Sequence, residues 1–483
     1  MKLRELFRET DIISSIGALN VEINGICCDS RICKEGHVFF AISGFEQDGH
    51  QYIDQAIENG AVAIVRNKIQ KELDGITYIE VRDARRSLSY AASNFFNNPT
   101  QKLKVIGITG TNGKTSTTFY LRKILESYGR KVGIIGTLGA YYNKEYINLV
   151  NTTPESVRIH EIIKNMLDSG IEYVLMEVSS HSLEMDRVDD VSFYGAIFTN
   201  LTRDHLDFHK DMDNYFNAKK KLFDFKLKSS VINVDDAYGH RLYHELNCSQ
   251  QKIYAFGEKT NIGSKISNIK TVGNISYFDL NNITFSTTLL GKFNIYNLSA
   301  AILMSIDLGV PIEYIKKAVE EIKPVVGRMD RIEVKNSNLT IIIDYAHTPD
   351  GLENVLTSLT NHKRGKLITL FGCDGDRDKE KRPLMGKISG EYSDYTVITS
   401  DNPRWEDPLE IIEDIVSGIS ETNGLYEVVP DRLEAIRRAM LIGKGYDTIL
   451  ISGKGHEKHQ LVKGEKIDFD ERQIVEKIAR EIY

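Results

Sequence analysis

The sequence predicts an α/β protein of three domains. At 483 residues the chain is too long for one hydrophobic core. Short β-branched apolar runs alternate with helical stretches in two successive series, the pattern of parallel sheets covered by helices. A glycine-rich strand-to-helix turn, Gly107-Ile-Thr-Gly-Thr-Asn-Gly-Lys-Thr115, opens the first series. The expected division is a small α/β domain over 1–98, a central domain with a phosphate loop and a mostly parallel sheet over 99–328, and a Rossmann-like domain over 329–483.

Along the first block, residues 37–42 read as a strand and 52–59 as a helix. Asn97-Asn-Pro-Thr100 combines turn-forming residues and reads as a linker. Residues 103–108 are too few for a helix and apolar enough for a buried strand. A helix is expected over 114–128, stopped at Gly129. Residues 171–178 and 193–200 repeat the buried-strand pattern, whereas 273–290 alternates as antiparallel strands at a sheet edge would. Lys323-Pro-Val-Val-Gly-Arg328 is a second turn cluster and the expected hinge. Beyond it, strands near 339–344, 366–372, 395–399 and 448–452 alternate with helices as in a doubly wound domain. Two α/β domains in tandem make a cleft between them, where substrates meet.

Composition excludes several classes. Hydrophobic residues at 41% and charged residues at 27% describe an ordinary globular protein. A net charge of -7 argues against a general polyanion binder, so no nucleic-acid partner is expected. The first residues lack the apolar stretch of a signal peptide, and no apolar run approaches the ~20 residues of a membrane span. The five cysteines, Cys27, Cys28, Cys33, Cys248 and Cys373, show neither paired metal-ligand spacing nor a disulfide framework. Cys27 and Cys28 read as reduced strand residues, and the expected compartment is the cytoplasm, away from the membrane.

The turn at 107–115 departs from the usual G-x-x-x-x-G-K-[ST] spacing, with Ile108 where that pattern has glycine. Its working part, Gly113-Lys114-Thr115, is intact. Glycines let backbone amides converge on anionic oxygens beside a helix N-terminus. Lys114 would neutralise the β- and γ-phosphates of a nucleotide, and Thr115 could ligate magnesium. Glu177 ends an apolar strand, where a carboxylate can hold that ion. Asn200-Leu-Thr-Arg-Asp-His-Leu-Asp-Phe-His209 carries Asp204, His205, Asp207 and His209 beyond another strand; nearby phosphates favour magnesium over zinc, and about half of these four are expected to shape the loop. Ala218-Lys-Lys-Lys221 by itself reads as a solvated helix face.

These segments, in this order and over nearly the whole chain, resemble the Mur ligases, which add amino acids to the muropeptide precursor of bacterial peptidoglycan. The resemblance rests on Gly110-Thr-Asn-Gly-Lys-Thr115, Glu177, Asp204-His205, Gly291-Lys-Phe-Asn-Ile-Tyr-Asn297, Gly327-Arg328, Asp344-Tyr-Ala-His-Thr-Pro-Asp350, Gly375-Asp-Arg-Asp-Lys379 and Gly453-Lys-Gly-His-Glu457. Asp29-Ser-Arg31, Asn151-Thr-Thr-Pro154, Ser179-Ser-His-Ser-Leu183 and Asp401-Asn-Pro-Arg404 resemble the members that add the third residue.

The resemblance implies that ATP and Mg2+ are used and that UDP-MurNAc-L-Ala-D-Glu and meso-diaminopimelate are the partners, in a monomer. ATP binding is implied for Gly110, Thr111, Asn112, Gly113, Lys114, Thr115, Ser116, Asn294, Asn297, Arg328 and Tyr345. By the same resemblance Ser30 contacts the uridine nucleotide, so the first domain is the UDP-binding one, and Asn151, Thr152, Thr153, Ser179 and Arg187 bind the muropeptide. Met185 replaces a glutamine common there. Thr115, Glu177, His205 and Lys219 are the implied metal ligands, with Lys219 carbamylated to N6-carboxylysine; His347 is expected near the same centre. A carbamate is an anionic oxygen donor, whereas an ammonium would repel a divalent cation. Lys114, Lys219 and His205 are the implied catalytic residues.

The amino-acid pocket is implied for Arg377, Asp401, Asn402, Pro403, Arg404, Gly453 and Glu457. The second carboxylate of meso-diaminopimelate suits a bidentate arginine at Arg404, and Glu457 suits an ammonium. The implied reaction is attack of the D-glutamate carboxylate on the γ-phosphate of ATP, then displacement of phosphate from the acyl phosphate by the incoming amine. Closure of the third domain onto the second would exclude water from it. The alternatives are the same reaction with L-lysine or another diamino acid, a ligase like folylpolyglutamate synthase, and a nucleotide-binding paralogue without catalysis.

Overall fold

In a computed structural model the described residues are 1–7, 11–44, 47–68, 72–246, 251–334 and 337–483, so Cys248 lies outside them. Three sheets carry the architecture. The first has five strands, its middle formed by the parallel strands His37–Phe40 and Ala61–Arg66. The helix expected at 52–59 is Ile53–Glu58, continued backwards by a 3-10 turn over Gly49–Tyr52. A second helix, Ala84–Phe95, is started by Asp83, whose carboxylate accepts from the N–H groups of Arg85 and Arg86.

The central sheet has eleven strands. Lys104–Thr109 lies in its middle between the parallel strands Tyr173–Glu177 and Phe193–Phe198. All three are buried, which explains why they read as continuous apolar runs. The helix expected over 114–128 is Lys114–Ser127, and Gly129 follows at a φ of 77°. Antiparallel strands do finish one edge: Ser264–Val272, Ile275–Leu280 and Ile283–Thr287. The other edge is also antiparallel, made by Gly139–Tyr142 and Glu145–Ile147. The sequence reading missed this hairpin, because two short strands beside a glycine-rich segment show no sustained alternation.

The third sheet has six strands, parallel except for Asp330–Glu333 at one edge. Strands Thr340–Asp344, Leu367–Phe371, Tyr395–Ile398 and Thr448–Ser452 occupy the expected places. Separate cores lie on the two faces of this sheet, one under helices Pro349–Thr360 and Pro408–Ile419, the other under Arg432–Ile442 and Glu471–Ile482. Among the described residues no helix is long and apolar enough to cross a membrane.

Candidate active site

The phosphate loop leaves the central strand at Thr109 and enters the helix at Lys114. Two of its glycines are required by space as well as by backbone: a Cβ on Gly110 would stand 1.8 Å from the Thr199 hydroxyl, and one on Gly113 would stand 2.2 Å from Oδ1 of Asn297. Their φ angles are 148° and 86°. The loop is braced by its neighbouring strand end. The Asn112 N–H donates to Oδ1 of Asn200 at 2.9 Å, and the Thr199 hydroxyl donates to the Asn112 carbonyl at 2.6 Å. Lys114 Nζ donates to the carbonyls of Gly110 and Thr111, at 2.9 and 2.8 Å. Burial lowers the pKa of that amine.

Glu177 is fully buried rather than exposed at its strand end. Its carboxylate accepts from the Thr115 hydroxyl at 2.9 Å and from the N–H and hydroxyl of Thr137, both at 3.0 Å. Opposite stand Asp204 and His205, with His205 Nε2 3.3 Å from Asp204 Oδ2. Burial pulls the His205 imidazole down to about 3, against the attraction of Asp204, so the ring is neutral. Burial pushes the Asp204 carboxyl up, but His205, Lys381, His347 and Lys114 outweigh it and keep it ionised. His347 Nε2 is 3.9 Å from the same carboxylate. The other two residues of that loop hold structure: buried His209 pairs with the Ser180 hydroxyl at 2.9 Å, and Asp207 faces Arg377 at 3.7 Å.

Lys219 overturns the reading of its lysine run as a solvated face. It is 1% exposed, donates to the Gly110 carbonyl at 2.9 Å and lies over the Tyr215 ring. Burial, reinforced by Lys114, lowers its pKa well below the ordinary lysine value. Lys220 and Lys221 are surface residues paired with Glu245 and Glu184.

A cleft of about 590 Å³ brings these groups together, lined by Thr111, Asn112, Gly113, Lys114, Thr115, Ser116, Glu177 and His205 on one side and by Arg328, Tyr345 and His347 on the other. Asn297 lines it; Asn294 does not, since its amide accepts from the Tyr120 hydroxyl at 2.9 Å and donates to the Leu290 carbonyl at 2.8 Å. The cleft also contains groups the sequence reading missed: Asp235, Phe256, Lys259, Phe293 and Tyr296, with the Tyr296 hydroxyl donating to Asp235 at 2.6 Å. Most lie at strand ends and belong to no motif, and only the Gly291–Asn297 segment gave a hint of them.

Thr152 reaches the same cleft, its hydroxyl 3.1 Å from that of Thr137. Thr153 is buried; its hydroxyl donates to the Glu177 carbonyl at 2.9 Å and accepts from the Ser179 N–H at 3.0 Å. Arg187 donates to the Thr153 carbonyl at 3.1 Å and pairs with Glu155 at 2.7 Å. Asn151 is exposed, and Met185 closes the short helix begun by Ser179. Ser30 stands apart in the first domain, buried, with its hydroxyl donating to Gln55 at 2.6 Å.

In the third domain Asn402 donates to Glu457 at 3.1 Å, and Tyr345, which lines the cleft, reaches the other Glu457 oxygen at 3.5 Å. Burial raises the pKa of Glu457. Arg404 is held at a φ of 54° by a bond from its N–H to the Leu461 carbonyl at 2.9 Å. Its guanidinium has Asp374 at 4.0 Å, and its Nε is buried without a hydrogen-bond partner among the described residues. Pro403 precedes Arg404 directly, and the Gly375 N–H donates to the Asn402 carbonyl at 2.9 Å. Asp401 is a brace: buried Lys454 and Arg432 approach it at 3.4 and 3.7 Å. Gly453 has no room for a side chain, because a Cβ would stand 2.3 Å from the Asp401 carboxylate. Contacts across the cleft tie the domains: Asn112 donates to Asp350 at 2.9 Å, and Arg203 pairs with Asp378 at 3.0 Å and Glu380 at 2.6 Å.

Fold and cleft define a three-domain protein whose phosphate loop faces a Rossmann-like domain. The chain belongs to the Mur ligase family: the Mur ligase middle domain matches residues 108–305, the Mur ligase glutamate ligase domain 327–455 and the Mur ligase family catalytic domain 22–98. It is 43% identical, over all of both chains, to UDP-N-acetylmuramoyl-L-alanyl-D-glutamate--2,6-diaminopimelate ligase of Clostridium tetani. A solved structure bearing that same enzyme name superimposes with a TM-score of 0.69 at 28% identity, covering 100% of this chain and 99% of the other. Folylpolyglutamate synthase of Mycobacterium tuberculosis, complexed with ADP and AMPPCP, shares the fold over 76% of this chain and 92% of its own, with a TM-score of 0.63 at 16% identity.

Proposed function

We propose that the chain is an ATP-dependent ligase that joins 2,6-diaminopimelate, as its meso form, to the D-glutamate of UDP-MurNAc-L-Ala-D-Glu in peptidoglycan synthesis. The observation that carries this reading is one cleft shared by the phosphate loop and Tyr345, whose hydroxyl reaches Glu457 at 3.5 Å in the third domain. Full-length identity to relatives named for this reaction supports it. Asp29-Ser-Arg31 in the first domain and Asn151-Thr-Thr-Pro154 support a UDP-linked substrate over a folate.

The chemistry needs no protein nucleophile. The D-glutamate carboxylate attacks the γ-phosphorus of ATP, ADP leaves, and the amine of diaminopimelate displaces phosphate from the acyl phosphate. Lys114 exchanges its two carbonyl partners for phosphate oxygens, and the loop amides orient the chain of phosphates. The hydroxyl of Thr115, the carboxylate of Glu177 and the neutral imidazole of His205 are donors that fit magnesium, and Glu177 already accepts from Thr115. Bound there, Mg2+ would neutralise phosphate charge. Lys219 is buried with its pKa lowered well below the ordinary lysine value, which favours the neutral amine that reacts with CO2 to give a carbamate and a proton, an anionic donor of N6-carboxylysine type. Arg404 offers a planar fork to the far carboxylate, and Glu457 offers a negative charge to an ammonium.

The test is phosphate release and product mass with UDP-MurNAc-L-Ala-D-Glu, ATP and a panel of diamino acids. Turnover is expected only with all three substrates and fastest with meso-diaminopimelate. Equal rates with L-lysine would overturn the amino-acid assignment, and ATP hydrolysis without ligation would overturn the ligase reading.

A further inference from the structure

Outside the cleft, the first domain gathers a second set of donors. Cys27, Cys33 and His37 each present a ligand atom within 4.8 Å of the others. The spacing Cys-x5-Cys-x3-His gives no sign of this in sequence; the fold creates it. Gly25–Cys27 pairs in parallel with His37–Phe40, placing Gly25 opposite His37 and Cys27 one step further along the same face. Cys33 caps the 3-10 turn Ser30–Ile32, which crosses that face. Cys28, adjacent in sequence, turns to the other side of the sheet and packs with a different core.

The imidazole seat is specific. A Cβ at Gly25 would stand 2.3 Å from His37 Nε2, so only glycine lets the ring lie against the strand. His37 Nδ1 is buried with no hydrogen-bond partner among the described residues. An orphaned buried nitrogen is unfavourable unless something completes it. Cys27 and Cys33 are buried and His37 is half-exposed, which leaves an entry for an ion.

We propose that Cys27, Cys33 and His37 form a binding site for a thiophilic divalent cation of the zinc class. Two thiolates and an imidazole select such an ion over the oxygen-seeking Mg2+. Tetrahedral bonds of about 2.3 Å to sulfur place two sulfurs roughly 3.8 Å apart, so the cluster need contract by only about 1 Å. Binding breaks two S–H bonds, forms two metal–sulfur bonds and releases two protons. The fourth position is filled by water. A bound ion would pin the turn that carries Ser30 to the sheet; its effect on the uridine end rests on the proposed function, while the binding does not.

The test uses the full-length protein, reduced and anaerobic, titrated with Co2+ and separately with Zn2+. The expected result is one Co2+ per chain with a sulfur-to-cobalt charge-transfer band, displaced by Zn2+, and a rise in thermal midpoint on adding Zn2+. Cys28→Ser and Cys373→Ser keep the band; Cys33→Ser and His37→Gln lose or alter it and lose the thermal rise. Absence of the band in the wild-type protein overturns the proposal, as does an unchanged band in Cys33→Ser and His37→Gln. Ligase activity is not the readout, so failure here leaves the proposed reaction standing.

Discussion

Replacing Arg404 by Met isolates the amino-acid end of the proposed reaction. The backbone there is fixed independently of the side chain, by the bond from its N–H to Leu461 and by a left-handed φ of 54° that Arg already tolerates. A straight-chain replacement therefore adds little strain. Among the described residues the guanidinium makes no close ion pair, since Asp374 is 4.0 Å away and Nε has no hydrogen-bond partner. Its contribution is thus available to a ligand. A charge-assisted hydrogen bond is worth about 1.5–3 kcal/mol, and two in a bidentate pair on a partly open site come to about 3–4 kcal/mol. At 1.36 kcal/mol per tenfold, kcat/KM for meso-diaminopimelate should fall ~10²–10³-fold. Arg404→Lys should recover only part of this, because a point charge lacks the planar fork. The assay is phosphate release at saturating ATP and muropeptide, with the diamino acid varied. L-lysine, which has no far carboxylate, should lose little in the same variant. An equal loss for both amino acids, or a loss below about threefold for diaminopimelate, would refute the reasoning.

Gly113→Ala must place a methyl 2.2 Å from Asn297 at a φ of 86°, so nucleotide affinity, measured by calorimetry, should fall at least ~10-fold while the protein stays folded. Lys219→Ala should abolish ligation while leaving circular dichroism unchanged; retained activity would remove Lys219 from the mechanism. The fully buried pair Arg432–Glu471, at 2.8 Å, anchors the last helix, and Glu471→Ala should cost about 3–5 kcal/mol, read by denaturant unfolding. Burial would raise the pKa of Glu406, but bonds from Arg382, the Asp376 N–H and Lys379 outweigh it and bring it down to about 2. A depressed carboxyl stabilises the fold above its unfolded value and loses that contribution as pH falls from about 4.5 through about 2. With solvent screening this amounts to roughly 1–2 kcal/mol, and Glu406→Gln should flatten that part of the stability profile.

The parts of the fold that repeat a period were legible in the sequence: buried parallel strands announce themselves as apolar runs, and the phosphate loop by its glycines. Lys219 was legible too, but through a different signal from the one first read. Three consecutive lysines suggest solvent, whereas Tyr215, Phe216, Ala218, Lys219 and Leu222 share the spacing of a buried helix stripe, and all five are buried. Asp235 and Phe256 could not be read as cleft residues, because parallel strands far apart in sequence bring their carboxyl ends together. Asn294 shows the reverse: it lies one helical turn from Asn297, yet its amide faces Tyr120 and Leu290.

Asn112 bonds Asn200 through its backbone and Asp350 through its side chain, so one residue of the phosphate loop touches both domains. Such a residue makes nucleotide binding and the relative placement of the domains parts of one equilibrium. Linkage is then reciprocal: whatever factor an occupied amino-acid pocket gains by favouring this arrangement, ATP must gain equally. The order in which substrates arrive is thereby biased by thermodynamics, with no gate required, and Asn112→Ala should weaken that mutual preference more than it weakens either ligand alone.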